Sequence, residues 1–70
     1  MNEVKLANRL KEARAAKGLT QAEFAAQLGV SRKTVNTVEN GVFVPSTTLA
    51  LTMARALNLA VEDLFYLAEQ

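Results

Sequence analysis

Apolar residues recur at helical spacing in five segments of the 70-residue chain, and most of the segments begin or end at residues that typically bound helices. The first segment covers residues 4–17, carries Leu6, Leu10 and Ala13 along one face, and ends at Gly18. No stretch alternates convincingly between apolar and polar residues, as a half-buried strand would. The pattern therefore predicts an all-α fold, a compact five-helix domain.

The second and third segments form a closely linked pair of helices. Thr20 is a typical N-cap and Glu23, three residues later, completes a capping box, while Gly29 ends the helix. Ser31 then caps the third helix after a very short connection. Helices joined so closely cannot pack antiparallel and must cross steeply. Residues 21–40 are therefore predicted to form a helix-turn-helix.

The last two segments complete the predicted helical domain. Ser46 caps a fourth helix whose apolar residues are Leu49, Ala50, Met53, Ala54 and Leu57. Asn58 is suited to the left-handed conformation that ends a helix. A fifth helix is predicted over residues 61–68, with acidic residues in its first turn.

The third helix, at about residues 32–40, has an unusual outward face. Only Val35 and Val38 point inward at about 100° per residue. The outward positions are occupied by Arg32, Lys33, Asn36, Thr37 and Asn40. These side chains suit base edges and phosphates in the major groove of DNA. The alternative is an ordinary solvated helix, but such helices usually carry acidic residues among the basic ones, and these five positions carry none.

Composition narrows the candidate chemistry. The chain has no cysteine and no histidine, so disulfides, zinc sites built on those ligands and His- or Cys-based catalysis are excluded. No enzyme, metal site or cofactor is expected. The net charge is only +1, but seven of the eight basic residues lie at or before residue 40. This asymmetry favours one face meeting phosphates, although a mixed surface would give a similar total.

The sequence predicts a single domain over residues 1–70 without a linker or a repeat. No apolar run is long enough to cross a membrane, and the start of the chain lacks the pattern of a signal peptide. We therefore expect a cytoplasmic protein. With no second domain, no small-molecule effector is expected.

Taken together, residues of the first three predicted helices resemble the Xre/Cro/repressor type of helix-turn-helix regulator. The resemblance is carried by Arg14-Ala-Ala-Lys-Gly-Leu-Thr-Gln21, Ala25, Leu28-Gly29-Val30-Ser31, Val35, Val38 and Glu39-Asn40-Gly41. It covers nearly the whole chain, and the combination of spacings is specific. It implies a fold of four or five helices that binds operator DNA as a two-fold dimer. It also implies that the protein is bacterial or phage-encoded and associated with the nucleoid.

The resemblance also implies roles by position. The base-reading positions are occupied by Arg32, Lys33, Asn36 and Thr37. The positions that contact the DNA backbone are occupied by Thr20, Gln21, Ser31 and Asn40. Arg14 and Glu39 match a partly buried salt bridge between the first and third helices. Helix geometry supports this pair, since Glu39 falls beside the buried face, though an exposed carboxylate is the alternative.

The chain departs from the family pattern in two places. The loop after the third helix reads Val42-Phe43-Val44 where relatives often have basic or polar residues, so phosphate contacts from this loop are not expected. Ala60 stands where relatives often have a capping serine, which leaves the fifth helix without a side-chain cap.

Surplus aromatic residues indicate where a dimer could form. A domain this small cannot cover every apolar side chain, so Phe43, Val61 and Phe65 are predicted to line a homodimer interface. The alternative is that these are ordinary surface side chains without a function.

Two functions from different classes fit these observations. The first is a transcriptional regulator, with a repressor favoured because nothing resembles an activation segment, that binds a palindromic operator as a homodimer. The second is a protein-interaction module on the same fold, such as an antitoxin or an adaptor, which the apolar loop and the low net charge favour. The polar face of the third helix supports the first.

Overall fold

The computed structural model describes residues 4–69 of the chain. As predicted, it contains five helices: α1 (Leu10–Ala16), α2 (Gln21–Leu28), α3 (Arg32–Glu39), α4 (Thr47–Ala56) and α5 (Val61–Leu64). Two strands, β1 (Val4–Asn8) and β2 (Phe65–Glu69), flank them in sequence. No helix within residues 4–69 is both long enough and apolar enough to cross a lipid bilayer.

The two strands correct the all-α prediction. Residues 4–8 were expected in the first helix, but they form β1, and α1 begins only at Leu10. Residues 65–68 were expected in the fifth helix, but that helix ends at Leu64 and β2 follows without a gap. The two strands pair antiparallel in one two-stranded sheet, so the fold is five helices with a β-ribbon.

Pairing between the strands explains why neither segment is helical. In the antiparallel register Leu6 lies opposite Leu67, and Asn8 lies opposite Phe65, which puts these four side chains on one face of the ribbon. Phe65 is only 8% exposed and belongs to the core. A bulky apolar side chain at alternate positions is typical of a strand, but five residues are too few to show it without the partner strand.

Asn8 makes the transition from β1 to α1. Its Oδ1 accepts a hydrogen bond from the backbone N–H of Leu10 at 3.0 Å, which satisfies the first N–H of α1, whose N-cap residue Arg9 makes no side-chain cap. Its Nδ2 donates to the carbonyl of Val38 at 2.9 Å and so satisfies one of the last carbonyls of α3. One amide therefore ends the strand, begins α1 and holds the end of α3.

The predicted N-caps of α2, α3 and α4 are confirmed. Thr20 accepts from the backbone N–H of Glu23, and the Glu23 carboxylate accepts from the N–H of Thr20. The bond from the Thr20 backbone N–H is the main cause that lowers the pKa of the Glu23 carboxyl, and an interaction of that carboxylate with the Thr20 side chain adds to the effect. Ser31 and Ser46 cap α3 and α4 with their side-chain oxygens.

The start of α5 lacks a side-chain cap, as Ala60 predicts. The Asp63 carboxylate instead accepts from the backbone N–H of Ala60 at 3.1 Å, which is half of a capping box. The helix has only four residues, and its last residue, Leu64, is fully buried. Burial of Leu64, together with strand pairing directly after it, holds this short helix in place.

One apolar core joins the helices to the ribbon. Its fully buried large side chains are Leu10, Phe24, Val35, Val38, Met53, Leu57 and Leu64. Within residues 4–69 no polar or charged residue is buried as a whole. The helix-turn-helix contributes Phe24, Val35 and Val38, so its two helices are held by the same core that closes the ribbon.

We expect Phe65→Ala to destabilise the domain by about 3–5 kcal/mol, because it leaves a cavity where an aromatic ring was buried. Leu67→Ala on the same strand is the matched control, since Leu67 is 72% exposed and its truncation should cost less than about 1 kcal/mol. Urea denaturation of both variants measures the difference. Equal losses in the free energy of unfolding would mean that Phe65 is no more buried than Leu67.

Candidate nucleic-acid interface

The turn between α2 and α3 is set by one glycine. Gly29 ends α2 with φ of 74°, a left-handed conformation that costs a residue with a side chain about 1 kcal/mol. The next residue, Val30, donates its N–H to the carbonyl of Ala25 at 3.1 Å, which closes the end of α2. Ser31 then begins α3 directly, so the two helices cross within three residues.

Helix α3 packs against the apolar core through two side chains, and most of its other side chains face outward. Val35 and Val38 are buried in the core. Arg32, Lys33 and Asn36 are exposed, and Thr37 is half-buried. The structure thus places the four predicted base-reading residues along the outer side of this helix.

Arg14 and Glu39 form an ion pair beneath this surface. Arg14 Nε lies 2.6 Å from Glu39 Oε2, and Nη2 donates to Glu39 Oε1 at 3.2 Å, which makes the contact bidentate. The third nitrogen, Nη1, donates to the carbonyl of Leu19 at 2.6 Å. The side chains are only 11% and 3% exposed. Arg14 therefore joins α1, the turn before α2, and the end of α3.

The ion pair also acts on the titration of Arg14. The hydrogen bond to Glu39 raises the pKa of the guanidinium, and the charge of Glu39 adds to that effect, while burial opposes it. The guanidinium therefore keeps its charge, and it stays paired with a carboxylate that is turned away from solvent.

Glu39 has a second partner that the sequence did not reveal. Gln21, the first residue of α2, donates from Nε2 to Glu39 Oε1 at 3.0 Å. Gln21 is half-buried in this position. No local spacing signals the contact, because the two residues lie on different helices and meet only when those helices cross.

Three amides form a row across the two helices. Gln21 Oε1 lies 3.5 Å from Asn36 Nδ2, and Asn40 Nδ2 lies 3.3 Å from Asn36 Oδ1. Asn40 Nδ2 also donates to the backbone carbonyl of Asn36 at 3.0 Å. Two residues predicted to contact the DNA backbone therefore flank one predicted to contact a base.

Hydroxyl groups near the interface are already engaged. The Oγ1 of Thr20 and the Oγ of Ser31 each accept a backbone N–H as helix caps. Thr37 Oγ1 lies 3.0 Å from the carbonyl of Lys33 and 3.1 Å from that of Thr34, and donates to them. Since its single proton is used within the helix, Thr37 offers its methyl group more readily than a hydroxyl donor.

The predicted interface residues of a dimer do not share one environment. Phe43 is exposed in the loop after α3, together with Val42 and Val44, which are 77% and 66% exposed. Val61 is partly buried against the core. Phe65 lies in the core, so its assignment to a surface contact is wrong, because pairing with β1 turns its ring inward.

Comparison with known families identifies the unit. A family model described as "Helix-turn-helix" matches residues 10–64. The chain belongs to this helix-turn-helix family of transcriptional regulators. The resemblance to the Xre/Cro type is thereby confirmed. Members of the family are regulators and not enzymes.

Individual helix-turn-helix proteins from bacteria and archaea are similar over most of the chain. An uncharacterized HTH-type transcriptional regulator, YgzD of Bacillus subtilis, is 41% identical over 63 residues, which cover 90% of this chain and 96% of the relative. An uncharacterized HTH-type transcriptional regulator of Archaeoglobus fulgidus is 46% identical over 57 residues, 81% of each chain. Among solved structures, the restriction-modification controller protein C.AhdI from Aeromonas hydrophila is 38% identical with a TM-score of 0.74, covering 79% of this chain and 80% of that one.

For this helix-turn-helix protein we expect Glu39→Ala to cost about 3–5 kcal/mol in the free energy of unfolding, because Arg14 is left in place without its carboxylate. The double change Arg14→Met with Glu39→Leu should recover most of that loss, since no uncompensated charge remains. Denaturant titration gives the free energy of unfolding of the native protein, the single variant and the double variant. A loss below about 1 kcal/mol for the single change would show that the pair behaves like an exposed one.

Proposed function

We propose that this protein is a DNA-binding transcriptional regulator, and specifically a repressor that binds a palindromic operator as a homodimer. Helix α3 lies in the major groove in this proposal. The observation that carries it is the charge on α3. Its only acidic side chain, Glu39, is turned inward and neutralised by Arg14, so the outer side presents Arg32 and Lys33 without a carboxylate beside them.

Each outward residue of α3 has a chemical partner on a base edge. Arg32 and Lys33 suit the two acceptors of guanine, and Asn36 suits the donor and acceptor of adenine. Thr37, whose hydroxyl is engaged within the helix, suits the methyl group of thymine. Discrimination at each position follows from these pairings.

Residues around α3 are suited to hold the protein on the phosphates. Gln21 begins α2, and Thr20 and Ser31 cap the two helices, so the backbone N–H groups of both helix starts lie near these residues. Asn40 lies at the other end of α3. Such contacts set the register and orientation of the helix and carry little sequence information.

A homodimer fits both the size of the domain and its exposed apolar surface. Phe43 is 47% exposed and Val61 is partly buried, and both remain candidates for the contact between copies, whereas Phe65 is not one. Two linked half-sites raise affinity, which matters for a chain with a net charge of only +1. Low net charge leaves little non-specific attraction to DNA.

A second candidate function is a protein-interaction module, such as an antitoxin or an adaptor. The observation that favours it is the run of three exposed apolar residues, Val42-Phe43-Val44, in the loop between α3 and α4. The two functions differ in whether the outward residues of α3 are needed for binding. Sequence preference for DNA should require Arg32 and Lys33 in the first case, and neither residue should matter for the partner in the second.

We expect Arg32→Ala and Lys33→Ala each to relax preference at particular base pairs by about 1–3 kcal/mol. Arg55→Ala is the control, because it removes the same charge from an exposed position on α4, outside the helix-turn-helix. Duplexes selected from random DNA by the native protein, and then changed one base pair at a time, give the preferences by titration. If all three variants lowered affinity evenly at every position, α3 would not be the base-reading helix.

We expect the operator to be a palindrome with half-site centres about 10–10.5 base pairs, or roughly 34 Å, apart, because a two-fold dimer places its recognition helices one helical turn apart. Footprinting of the selected duplex measures the spacing, and sedimentation equilibrium measures the dimer. Phe43→Glu should weaken the dimer and reduce affinity for the full site more than for a half-site. Protection of a single half-site by a monomer would contradict the prediction.

A further inference from the structure

The orientation of the Gln21 amide is dictated by a group that can only accept. The Glu39 carboxylate takes a bidentate contact from the Arg14 guanidinium, and a carboxylate in such a pair accepts hydrogen bonds and does not donate them. Gln21 must therefore direct Nε2 toward Glu39 Oε1, which lies 3.0 Å away. The reverse orientation would bring two oxygens together without a proton between them. As a result, Gln21 Oε1 points away from the ion pair and toward Asn36.

The contacts on both sides of Asn36 favour the same orientation of its side-chain amide. Gln21 Oε1 accepts, so the atom of Asn36 that faces it at 3.5 Å must be the donor Nδ2. On the other side, Asn40 Nδ2 donates a hydrogen bond to the backbone carbonyl of Asn36 at 3.0 Å. The atom of Asn40 that faces the Asn36 side chain is therefore also this donor. The Asn36 atom that faces it at 3.3 Å must then be the acceptor Oδ1. Two independent constraints agree on one orientation.

Asn36 keeps spare capacity after these contacts. An amide has two N–H donors and two acceptor lone pairs, and each contact uses one, so one donor and one acceptor remain. Asn36 is exposed, so both remaining groups can reach a ligand. Adenine presents an acceptor, N7, beside a donor, N6, in the major groove, and a paired donor and acceptor on one side chain match it.

We infer that the ion pair Arg14–Glu39, acting through Gln21, is a positioning element that orders the donor and acceptor of Asn36 before DNA binds and so directs Asn36 to adenine. This inference rests on the proposed function, in which Asn36 contacts a base. Arg14, Glu39 and Gln21 touch no base in it and act through Asn36. An Asn36 amide ordered beforehand loses less conformational entropy on binding than a freely rotating one.

The experiment uses the duplex that the native protein selects from random DNA, with each adenine replaced in turn by 7-deazaadenine, which lacks the N7 acceptor. We expect one adenine per half-site to show a loss of about tenfold in affinity. Asn36→Ala should abolish the penalty at that adenine and at no other, which identifies the base that Asn36 contacts.

Two variants then test the positioning element. Gln21→Met removes the amide at similar length, without touching the ion pair, and Glu39→Gln removes the acceptor-only group. In both, the penalty for 7-deazaadenine at the Asn36 position should fall to less than about threefold, while penalties at other adenines persist. Thermal unfolding shows whether each variant is folded, and Gln21→Met decides the outcome if Glu39→Gln is not.

Glu23→Gln is the matched control, because it makes the same change from carboxylate to amide on the same helix pair and glutamine also completes a capping box. The loss of affinity that 7-deazaadenine causes at the Asn36 position should be the same for this variant as for the native protein. If Asn36→Ala changed no penalty, Asn36 would not contact adenine and that part of the proposed function would fail. If Asn36→Ala abolished the penalty but Gln21→Met and Glu39→Gln kept it in full, base contact would stand and the positioning inference alone would be overturned.

Discussion

The guanidinium of Arg14 is the point on which the arrangement of the helix-turn-helix depends. It binds the Glu39 carboxylate at the end of α3 and the carbonyl of Leu19 just before α2, so three parts of the chain converge on one side chain. The core contact between α3 and the rest of the domain is small, since only Val35 and Val38 are buried. A charged pair with little exposure is favourable only when its geometry satisfies both partners, and here all three nitrogens of the guanidinium donate.

The same interaction shapes the electrostatics of the outer surface. A carboxylate on α3 would repel phosphates if it were exposed, and Glu39 is withdrawn from solvent instead. The local charge of α3 is therefore more positive than the total charge of +1 for the whole chain indicates. In a small protein, the local charge of a surface depends more on whether an acidic side chain faces solvent or the interior than on the number of acidic residues.

Most of the helical domain was predictable because its signals are local. Thr20, Ser31 and Ser46 each begin a helix, and a cap is recognised within four residues of sequence. The bidentate pair of Arg14 and Glu39 was indicated by family resemblance and by the position of Glu39 on its helix. The contact of Gln21 with Glu39 had no such signal, because only the crossing of two helices brings them together.

The β-ribbon shows where local signals fail. Residues 4–8 and 65–69 each contain a leucine and an alanine, which favour helices, and Leu6 falls on the same helical stripe as Leu10. The deciding influence is the partner strand at the far end of the described chain, together with the hydrogen bond from the Leu10 N–H to Asn8 where β1 gives way to α1. An asparagine close to the start of an apolar helix often satisfies a free backbone N–H there, and Asn8 is a local sign that α1 begins late.

This ribbon has a consequence for how the molecule folds. Its strands lie at opposite ends of the described chain, so they can meet only after the helices between them have brought those ends together. Closing so long a loop costs entropy before any strand hydrogen bond forms, and such pairings slow a folding reaction that helices alone would complete quickly. The ribbon should therefore be the last element to form. Once formed, it ties residues 4–8 to residues 65–69, so that neither strand can fray without separating from its partner.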